Sequence, residues 1–467
     1  TKNNLGYSFK QHLSQPLDGD MAGGIVPAND VKNIFESPLG LDVLFGNKIY
    51  PNPNRFFSHW IFKEYFNLVP IWLQKFINPI DSVYLTCAIA KITIQFLIIF
   101  FLSIAITGKK NIFKLELIVA MILVTPFFQT NGYGGYMGII DPSTTYTFFY
   151  ALPSALLLLY LIPFIKELYH SQQSSINFYT IIIWLPLSAI VCLSGPLNPG
   201  IVLIFSALVL LNNLKKNYTQ STQNRTIKKT IDSVKAIPKS FIFFLIPIVI
   251  FSTYSLYIGK YNSINIVNQV PLSELYLKLP KGIYYQFTQK LGFPVLFAIL
   301  TLNTIIIKKY FKTSEGVKLL NVFKWIGIFS LLYILLLPLG GYRVYRPYIL
   351  RYDTIMPITI SLIFIFGATT LYLFKQMKIR HKIWYIPLII CILFIFTNAD
   401  KPEFDKNQCE KIALIEISES KEKIVELKNN CSVLSWDKIT KPEDSELNAQ
   451  LLLLWNITNE KRLYYNK

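Results

Sequence analysis

Hydrophobic residues in this chain form long blocks flanked by lysines, and they do not alternate with a period of 3.6 or 2. A bilayer core of about 30 Å is crossed by about 20 apolar residues in a helix. Backbone polar groups in lipid must be paired within their own segment, so each block predicts a transmembrane helix. Ten spans are predicted, at residues 83–107, 113–129, 146–165, 177–194, 199–214, 241–258, 292–307, 322–339, 353–374 and 383–397.

The composition agrees with this pattern. Of 467 residues, 52% are hydrophobic and 16% are charged, whereas soluble domains carry about 25% charged residues. The predicted fold class is therefore an all-α polytopic membrane protein. A net charge of +19 does not indicate nucleic-acid binding, because no soluble domain rich in Lys and Arg is present.

The basic residues predict the orientation of the bundle. If the odd-numbered connections are cytoplasmic, every strongly basic loop falls on one side, as the positive-inside rule requires. Residues 1–81, 398–467 and the loops 130–145, 259–291 and 340–352 then face the exterior. The loops assigned to the cytoplasm contain Lys109, Lys110, Lys114, Lys215, Lys216, Arg225, Lys228, Lys229, Lys235, Lys239, Lys308, Lys309, Lys312, Lys375, Lys378, Arg380 and Lys382.

The chain divides into three predicted regions. Residues 1–81 form an exterior loop whose segment 56–76 has aromatic and aliphatic side chains near helical spacing, typical of an amphipathic helix lying in the membrane interface. Pro70 is expected to break or kink this helix. Residues 82–397 form the helix bundle. Because the chain begins at Thr1 in an exterior segment, a further transmembrane helix is expected upstream.

Residues 398–467 are predicted to form a small exterior α/β module. Lys411–Ser418 alternates like a strand, Ser420–Asn429 resembles a helix, and Cys431–Trp436 resembles a second strand. Cys409 and Cys431 flank this unit. They either form a disulfide in an oxidising compartment or are two buried thiols.

Two carboxylates in the first loop are the first candidates for chemistry. Asp18 and Asp20 stand on either side of Gly19. Such a pair can bind a divalent cation, or one carboxylate can act as a general base. The structural alternative is an Asp-Gly turn with solvated carboxylates.

Arginines and tyrosines supply the other candidates. Arg343, Arg346 and Arg351 are concentrated at an exterior boundary, against the positive-inside trend. Guanidinium groups bind phosphate bidentately, so a lipid-phosphate site is one interpretation, and snorkelling to lipid headgroups is the other. The predicted substrate-binding residues are Tyr133, Tyr136, Asp141 and Tyr342, in loops where glycines beside tyrosines permit close approach of a ligand.

This layout resembles the glycosyltransferase C superfamily of polytopic enzymes that use polyprenyl-phosphate sugars. The resemblance comprises the two aspartates, the 56–76 segment, the aromatic exterior loops, the arginines and the tail. It implies that Asp18 or Asp20 activates the acceptor hydroxyl and that Arg343, Arg346 or Arg351 stabilises the departing polyprenyl phosphate. A divalent cation is optional, with Asp18 and Asp20 as its ligands if one is used. The residue usage is typical of a Gram-negative bacterium, so the expected location is the inner membrane, with both terminal regions in the periplasm.

Two other functions stay open at the level of sequence. A non-enzymatic subunit of an export or motility complex would use the exterior loops and tail to bind protein partners. A transporter or flippase is the second alternative, although ionisable residues within the spans are few, chiefly Lys91 and Glu116. The sequence identifies neither the sugar nor the acceptor.

Overall fold

The computed structural model describes residues 5–26, 29–128, 137–172, 176–220, 226–267, 270–341, 346, 348–399 and 403–467. Helices dominate these segments. In chain order they are α1 (Leu5–Leu13), α2 (Met21–Ile25), α3 (Asn29–Glu36), α4 (Leu41–Gly46), α5 (Phe56–Leu73), α6 (Pro79–Thr107), α7 (Leu115–Phe128), α8 (Thr144–Leu168), α9 (Phe178–Cys192), α10 (Asn198–Gln220), α11 (Thr226–Lys235), α12 (Lys239–Gly259), α13 (Ser263–Val267), α14 (Leu272–Thr288), α15 (Gly292–Tyr310), α16 (Ser314–Gly340), α17 (Met356–Gln376), α18 (Ile379–Ala399), α19 (Gln408–Glu419) and α20 (Glu446–Leu454).

Eight helices within the described segments are long and apolar enough to cross a membrane, namely α6, α8, α10, α12, α15, α16, α17 and α18. They coincide with eight of the ten predicted spans. The second and fourth predicted spans coincide with the shorter apolar helices α7 and α9. The chain is therefore an all-α membrane protein by helix length and composition.

Local sequence explains where several helices begin. Asn78 accepts a hydrogen bond from the Asp81 backbone N–H at the start of α6, where Pro79 occupies the first helical position. The hydroxyl of Ser143 accepts from the Tyr146 N–H at the start of α8. Thr313 does the same for Gly316 at the start of α16. Each cap satisfies an amide that has no partner within the helix.

Four of the connections that the sequence assigns to the same side of the membrane lie together at one end of the bundle. Glu116 forms ion pairs with both Lys109 and Lys375, which joins the loops after α6 and α17. The imidazole of His170 hydrogen-bonds the carbonyl of Ala105 at 2.8 Å. Lys318 donates to the Ser171 hydroxyl. We call this the lysine end, formed by residues 108–114, 166–172, 312–318 and 375–378.

The N-terminal segment and the C-terminal tail pack together at the opposite end of α6. The Asn407 side chain donates to the carbonyl of Leu13 at 3.0 Å, and the Trp455 indole donates to the carbonyl of Phe66 at 3.0 Å. Buried side chains from the first loop, α5, the start of α6 and the tail form one continuous hydrophobic cluster. The tail therefore shares its core with the first 81 residues.

The expected secondary structure of the tail is wrong in three places. Residues 411–418 lie in helix α19, residues 420–429 contain strand β1 (Ile424–Leu427), and residues 431–436 form no regular element. The second strand is β2 (Leu463–Asn466), parallel to β1. The first of these segments is a helix because its buried residues are three or four positions apart, which is helical spacing. They are Glu410, Ala413, Leu414 and Ile417.

Helix α5 forms where the amphipathic segment is predicted. It continues through Pro70 to Leu73, so the proline does not end the helix. Phe62 and Phe66 face the cluster shared with the tail. Trp60, Leu68 and Trp72 stay exposed on the other side, as expected for a helix that lies in an interface.

Candidate functional site

Asp18, in the first loop, is buried, and both of its carboxylate oxygens accept hydrogen bonds. Its carboxylate accepts from the Thr145 backbone N–H at 3.0 Å and from the Thr145 hydroxyl at 2.6 Å. It also accepts from the Asp20 N–H at 3.3 Å. A carboxylate at the first turn of α8 is stabilised by free amides and by the positive end of the helix dipole. Asp18 therefore joins the first loop to the start of α8.

Asp20 has the opposite surroundings. It is exposed and contributes to the walls of two neighbouring cavities, which also share Tyr146. We call these the Arg346 cavity, of about 560 Å³, and the Arg55 cavity, of about 630 Å³. A carboxylate common to both can reach a group bound in either one.

The Arg346 cavity combines a guanidinium with stacked aromatic rings. Arg346 donates to the Tyr146 hydroxyl at 2.7 Å and lies 5.5 Å from the centre of that ring. The ring of Trp436 stacks on Tyr146 at 5.8 Å with 20° between the planes. The first loop, the loop before α17, the start of α8 and the tail thus meet here. This combination suits an anion next to a flat, partly apolar ring.

Asp141 lines the same cavity as Asp20 and Arg346. Burial raises the pKa of Asp141 to about 6, although hydrogen bonds from the Ser143 N–H and the Tyr352 hydroxyl oppose the shift. Asp141 in turn raises the pKa of Tyr352, which burial already displaces upward. Asp20 and Asp141 therefore face one cavity from different environments, one exposed and one buried.

The Arg55 cavity lies on the other side of Asp20. Its wall includes Arg55 and His59 from the beginning of α5, together with Lys438 and Asp444 from the tail. His59 is buried, and burial together with the positive charge of Arg55 lowers its pKa to about 3. The imidazole is therefore neutral at physiological pH.

Residues of the tail hold the first loop in place. The carboxylate of Glu410 accepts from the Leu17 N–H at 2.8 Å, from the Tyr84 hydroxyl at 2.8 Å and from the Leu434 N–H at 3.0 Å. Cys409 and Cys431 form a disulfide with a Cα–Cα distance of 5.9 Å. Leu17 precedes Asp18, so Glu410 and the disulfide together fix both the aspartate loop and the segment that carries Trp436.

Gly19, between the two aspartates, lies where a side chain would not fit. A Cβ atom at this position would lie 2.7 Å from both the ring and the backbone nitrogen of Trp436. Such contacts are closer than packed atoms tolerate. The glycine therefore permits the tail to close over the first loop.

The predicted site residues fall into three groups. Asp20, Asp141 and Arg346 line one cavity, and Asp18 lies beneath it. Arg351 is absent from both cavity walls and pairs instead with the buried carboxylate of Asp353 at 2.7 Å. Tyr133, Tyr136, Tyr342 and Arg343 lie outside the described residues.

Sequence reasoning missed Arg55, His59, Tyr146, Tyr352 and Trp436. Arg55 carried a usable signal, because it lies, like Arg346, in a segment that the basic loops assign to the exterior, where arginines are less expected. Lys91 was noted only as a charge within a span. It is buried, donates to the carbonyl of Pro142 and lies close enough to Asp18 and Asp141 to interact electrostatically with both.

In the described segments, no group of three or more His, Cys, Asp or Glu side chains could hold a metal ion. Asp18 is committed to Thr145, which leaves Asp20 and Asp141 as the carboxylates of one cavity. Two carboxylates can hold Mg²⁺ when substrate phosphate and water complete its coordination. The donor set therefore fits a cation shared with a bound phosphate.

No protein-family model matches the chain, and no curated protein or solved structure matches it significantly.

Proposed function

We propose that this protein is a membrane glycosyltransferase that moves a sugar from a polyprenyl-phosphate carrier to an acceptor. Its exterior face would be the end of the bundle that carries the first loop and the tail. Asp20 carries the proposal, because it is the one ionisable carboxylate common to the Arg346 and Arg55 cavities among the described residues. A transferase needs a base between a donor and an acceptor, and two cavities that meet at one carboxylate provide that geometry.

The Arg346 cavity supports the binding of the donor. Its guanidinium matches the oxygens of a phosphate, and the stacked rings of Tyr146 and Trp436 suit the face of a sugar. The phosphate gains negative charge as it departs. Arg346 is already oriented by the Tyr146 hydroxyl, so it can stabilise this charge without reorganising.

An apolar groove supports a lipid carrier. It lies between α6, α8, α10, α16 and α17 and has a volume of about 250 Å³, with mostly aliphatic and aromatic walls that extend to Lys318 of the lysine end. At one end lies Ser154, whose hydroxyl donates to the carbonyl of Tyr150. Tyr150 belongs to the wall of the Arg55 cavity. A prenyl chain in this groove would keep its head close to the two polar cavities.

The proposed reaction is a single displacement. Asp20 accepts the proton of the acceptor hydroxyl, and the hydroxyl oxygen forms a bond to the anomeric carbon. The bond from that carbon to the phosphate oxygen breaks, and its electron pair leaves with the polyprenyl phosphate beside Arg346. Asp18 positions Asp20 through the loop and does not contact the reactants. If a cation takes part, Asp20 and Asp141 would hold it, and it would neutralise charge on the phosphate.

The substitution Asp20→Asn tests the assignment. Transfer from a panel of polyprenyl-phosphate hexoses, followed by mass spectrometry, should fall by about 100-fold or more, because general base catalysis contributes on this scale. Abundance and thermal stability should match those of the wild type. Asp18→Asn should instead lower the amount of folded protein, since it weakens the contact with Thr145.

Asp437→Asn is the matched control, because Asp437 is exposed beside Trp436 and lines neither cavity. It should retain wild-type transfer. Full activity of Asp20→Asn in the same assay would remove Asp20 as the base.

A further inference from the structure

His59 is a buried imidazole whose polar atoms have no protein partner in the described part of the chain. Its side chain is 6% exposed, and neither ring nitrogen forms a hydrogen bond with a described residue. The ring packs edge-on against Phe149 at 4.5 Å. Buried polar atoms are normally hydrogen-bonded, and an unpaired one lowers the stability of the protein. Because His59 lines the Arg55 cavity, a ligand there can satisfy it.

The wall of this cavity places a guanidinium beside the imidazole. Arg55 precedes His59 by one turn of α5, and its charge acts on the imidazole. The positive end of the α5 dipole lies at the same place. The other charged residues of the wall are Asp20, Lys438 and Asp444, and all three are exposed. The half-buried guanidinium and the neutral imidazole therefore face the interior.

We propose that the Arg55 cavity binds an oxyanion, a carboxylate or a phosphate monoester, through Arg55 and His59. The guanidinium binds two oxygens of the anion in parallel, and the imidazole donates from one ring nitrogen. The anion belongs to the sugar acceptor, which is therefore an acidic or phosphorylated molecule. This last step rests on the proposed function, whereas the anion site itself does not.

The test uses the histidines as reporters. The chain has four, His12, His59, His170 and His381. The full chain, labelled at histidine Cε1 with ¹³C and purified in detergent, gives one NMR signal per histidine, and His59→Gln assigns the relevant signal. The probes are glucuronate, glucose 6-phosphate and glucose, which share a ring and differ in charge.

Glucuronate, glucose 6-phosphate or both should move the His59 signal saturably, and glucose should not. The pKa of His59 should rise by about one unit or more in the bound form, because a nearby negative charge favours the imidazolium. Signals of the other three histidines should stay in place. The better of the two anions identifies the acceptor group as carboxylate or phosphate.

Variants separate this site from the Arg346 cavity. Arg55→Gln should abolish the response of His59, and Arg55→Lys should weaken it. Arg346→Gln should preserve it. Arg380→Gln, which removes an exposed charge after α17, is the control for net charge and should also preserve it.

An unmoved His59 signal with both anions would overturn the proposal, as would an equal response to glucose. A response that persists in Arg55→Gln would also overturn it. Anion binding by His59 in a protein without transferase activity would refute the proposed function and leave the anion site standing. Transferase activity without anion binding would refute the anion site and leave the proposed function standing.

Discussion

The Arg346 and Arg55 cavities share Asp20 and Tyr146 but differ in the rest of their walls. In the first, one guanidinium lies against stacked rings and a second carboxylate, Asp141. In the second, a guanidinium lies beside an imidazole that has no described partner. The two arginines come from distant parts of the chain, the loop before α17 and the start of α5. Two anion-compatible cavities on either side of one carboxylate favour a reaction between two bound partners.

The tail contributes to both cavities. Trp436 closes the first, and Lys438 and Asp444 border the second. Glu410 and the disulfide fix this segment to the first loop. Changes at the two arginines should therefore separate the cavities, whereas changes in the tail should affect both.

Arg346→Gln should produce the largest effect of the variants that separate the cavities. Transfer should fall by about 100–1000-fold, because the charge that develops on the phosphate loses its stabilising partner. The loss should appear in kcat, whereas Arg55→Gln should chiefly raise the KM for the acceptor. Initial rates over a range of donor and acceptor concentrations measure both. Equal effects of the two variants on both constants would mean that the cavities do not have separate ligands.

Loss of the disulfide should come next. Replacing Cys409 and Cys431 with serine removes a link between residues 22 apart in sequence, which corresponds to about 3 kcal/mol of stabilisation in a chain-entropy account. The tail should become sensitive to limited proteolysis, and binding at both cavities should weaken together. Cys391→Ser, at an exposed free cysteine of α18, is the control. A double variant as resistant as the wild type would show that the disulfide does not hold the tail.

Glu410→Gln should lower stability by about 1–3 kcal/mol. The carboxylate accepts from the N–H groups of Leu17 and Leu434 on its two oxygens, so an amide would place a donor against a donor. Thermal unfolding in detergent at about pH 8, where Glu410 is a carboxylate, measures the loss. Glu419→Gln, the same substitution at an exposed position of the same helix, is the control.

The same residue predicts a pH dependence. Burial raises the pKa of Glu410 to about 7 from an ordinary value of 4.5. Between these values the folded protein holds a proton on Glu410 that the unfolded chain has lost, so the stability that Glu410 contributes should decrease as pH rises through this range. Buried neutral His59 acts in the opposite direction, so the wild type is compared with Glu410→Gln at each pH. A wild-type stability that rises relative to that of Glu410→Gln between about pH 5 and about 7 would contradict the assignment.

Gly19→Ala should have the smallest effect. The added methyl group overlaps Trp436, so the wall of the Arg346 cavity should shift and transfer should fall by about tenfold, or 1.4 kcal/mol. When Gly19→Ala is combined with Trp436→Ala, the loss of transfer should be smaller than the sum of the two single losses in free energy, because the two changes act on one contact. Gly327→Ala, where a Cβ meets nothing within 4 Å and which lines neither cavity, is the control. Strict additivity of the two substitutions would exclude this contact as the cause.

The helix bundle was predictable because its signal is local. Each apolar block determines its own helix, and the basic loops that were grouped by charge include several that meet at the lysine end through Glu116, His170 and Lys318. Asp20, Asp141 and Arg346, which line one cavity, could be proposed from sequence because each carries an unusual feature in its own loop.

The rest of the site depends on contacts between distant segments. Nothing near Trp436 indicates that it stacks on Tyr146, 290 positions earlier in the chain. Asp18 and Asp20 look equivalent in sequence, and only the approach of Thr145 separates a buried anchor from an exposed carboxylate. Residues 411–418 were predicted as a strand because Ile412 and Ile415 are apolar although they lie on the exposed side of α19. These two residues obscure the helical spacing of the buried positions.

The position of the lipid phosphate can be seen in a density map of the protein in nanodiscs with bound polyprenyl phosphate. We expect the phosphate to lie against Arg346 and Tyr146, in the cavity that Asp20 shares, with the prenyl chain descending between the helices. A phosphate bound at the lysine end, or bound out of reach of Asp20, would contradict this expectation.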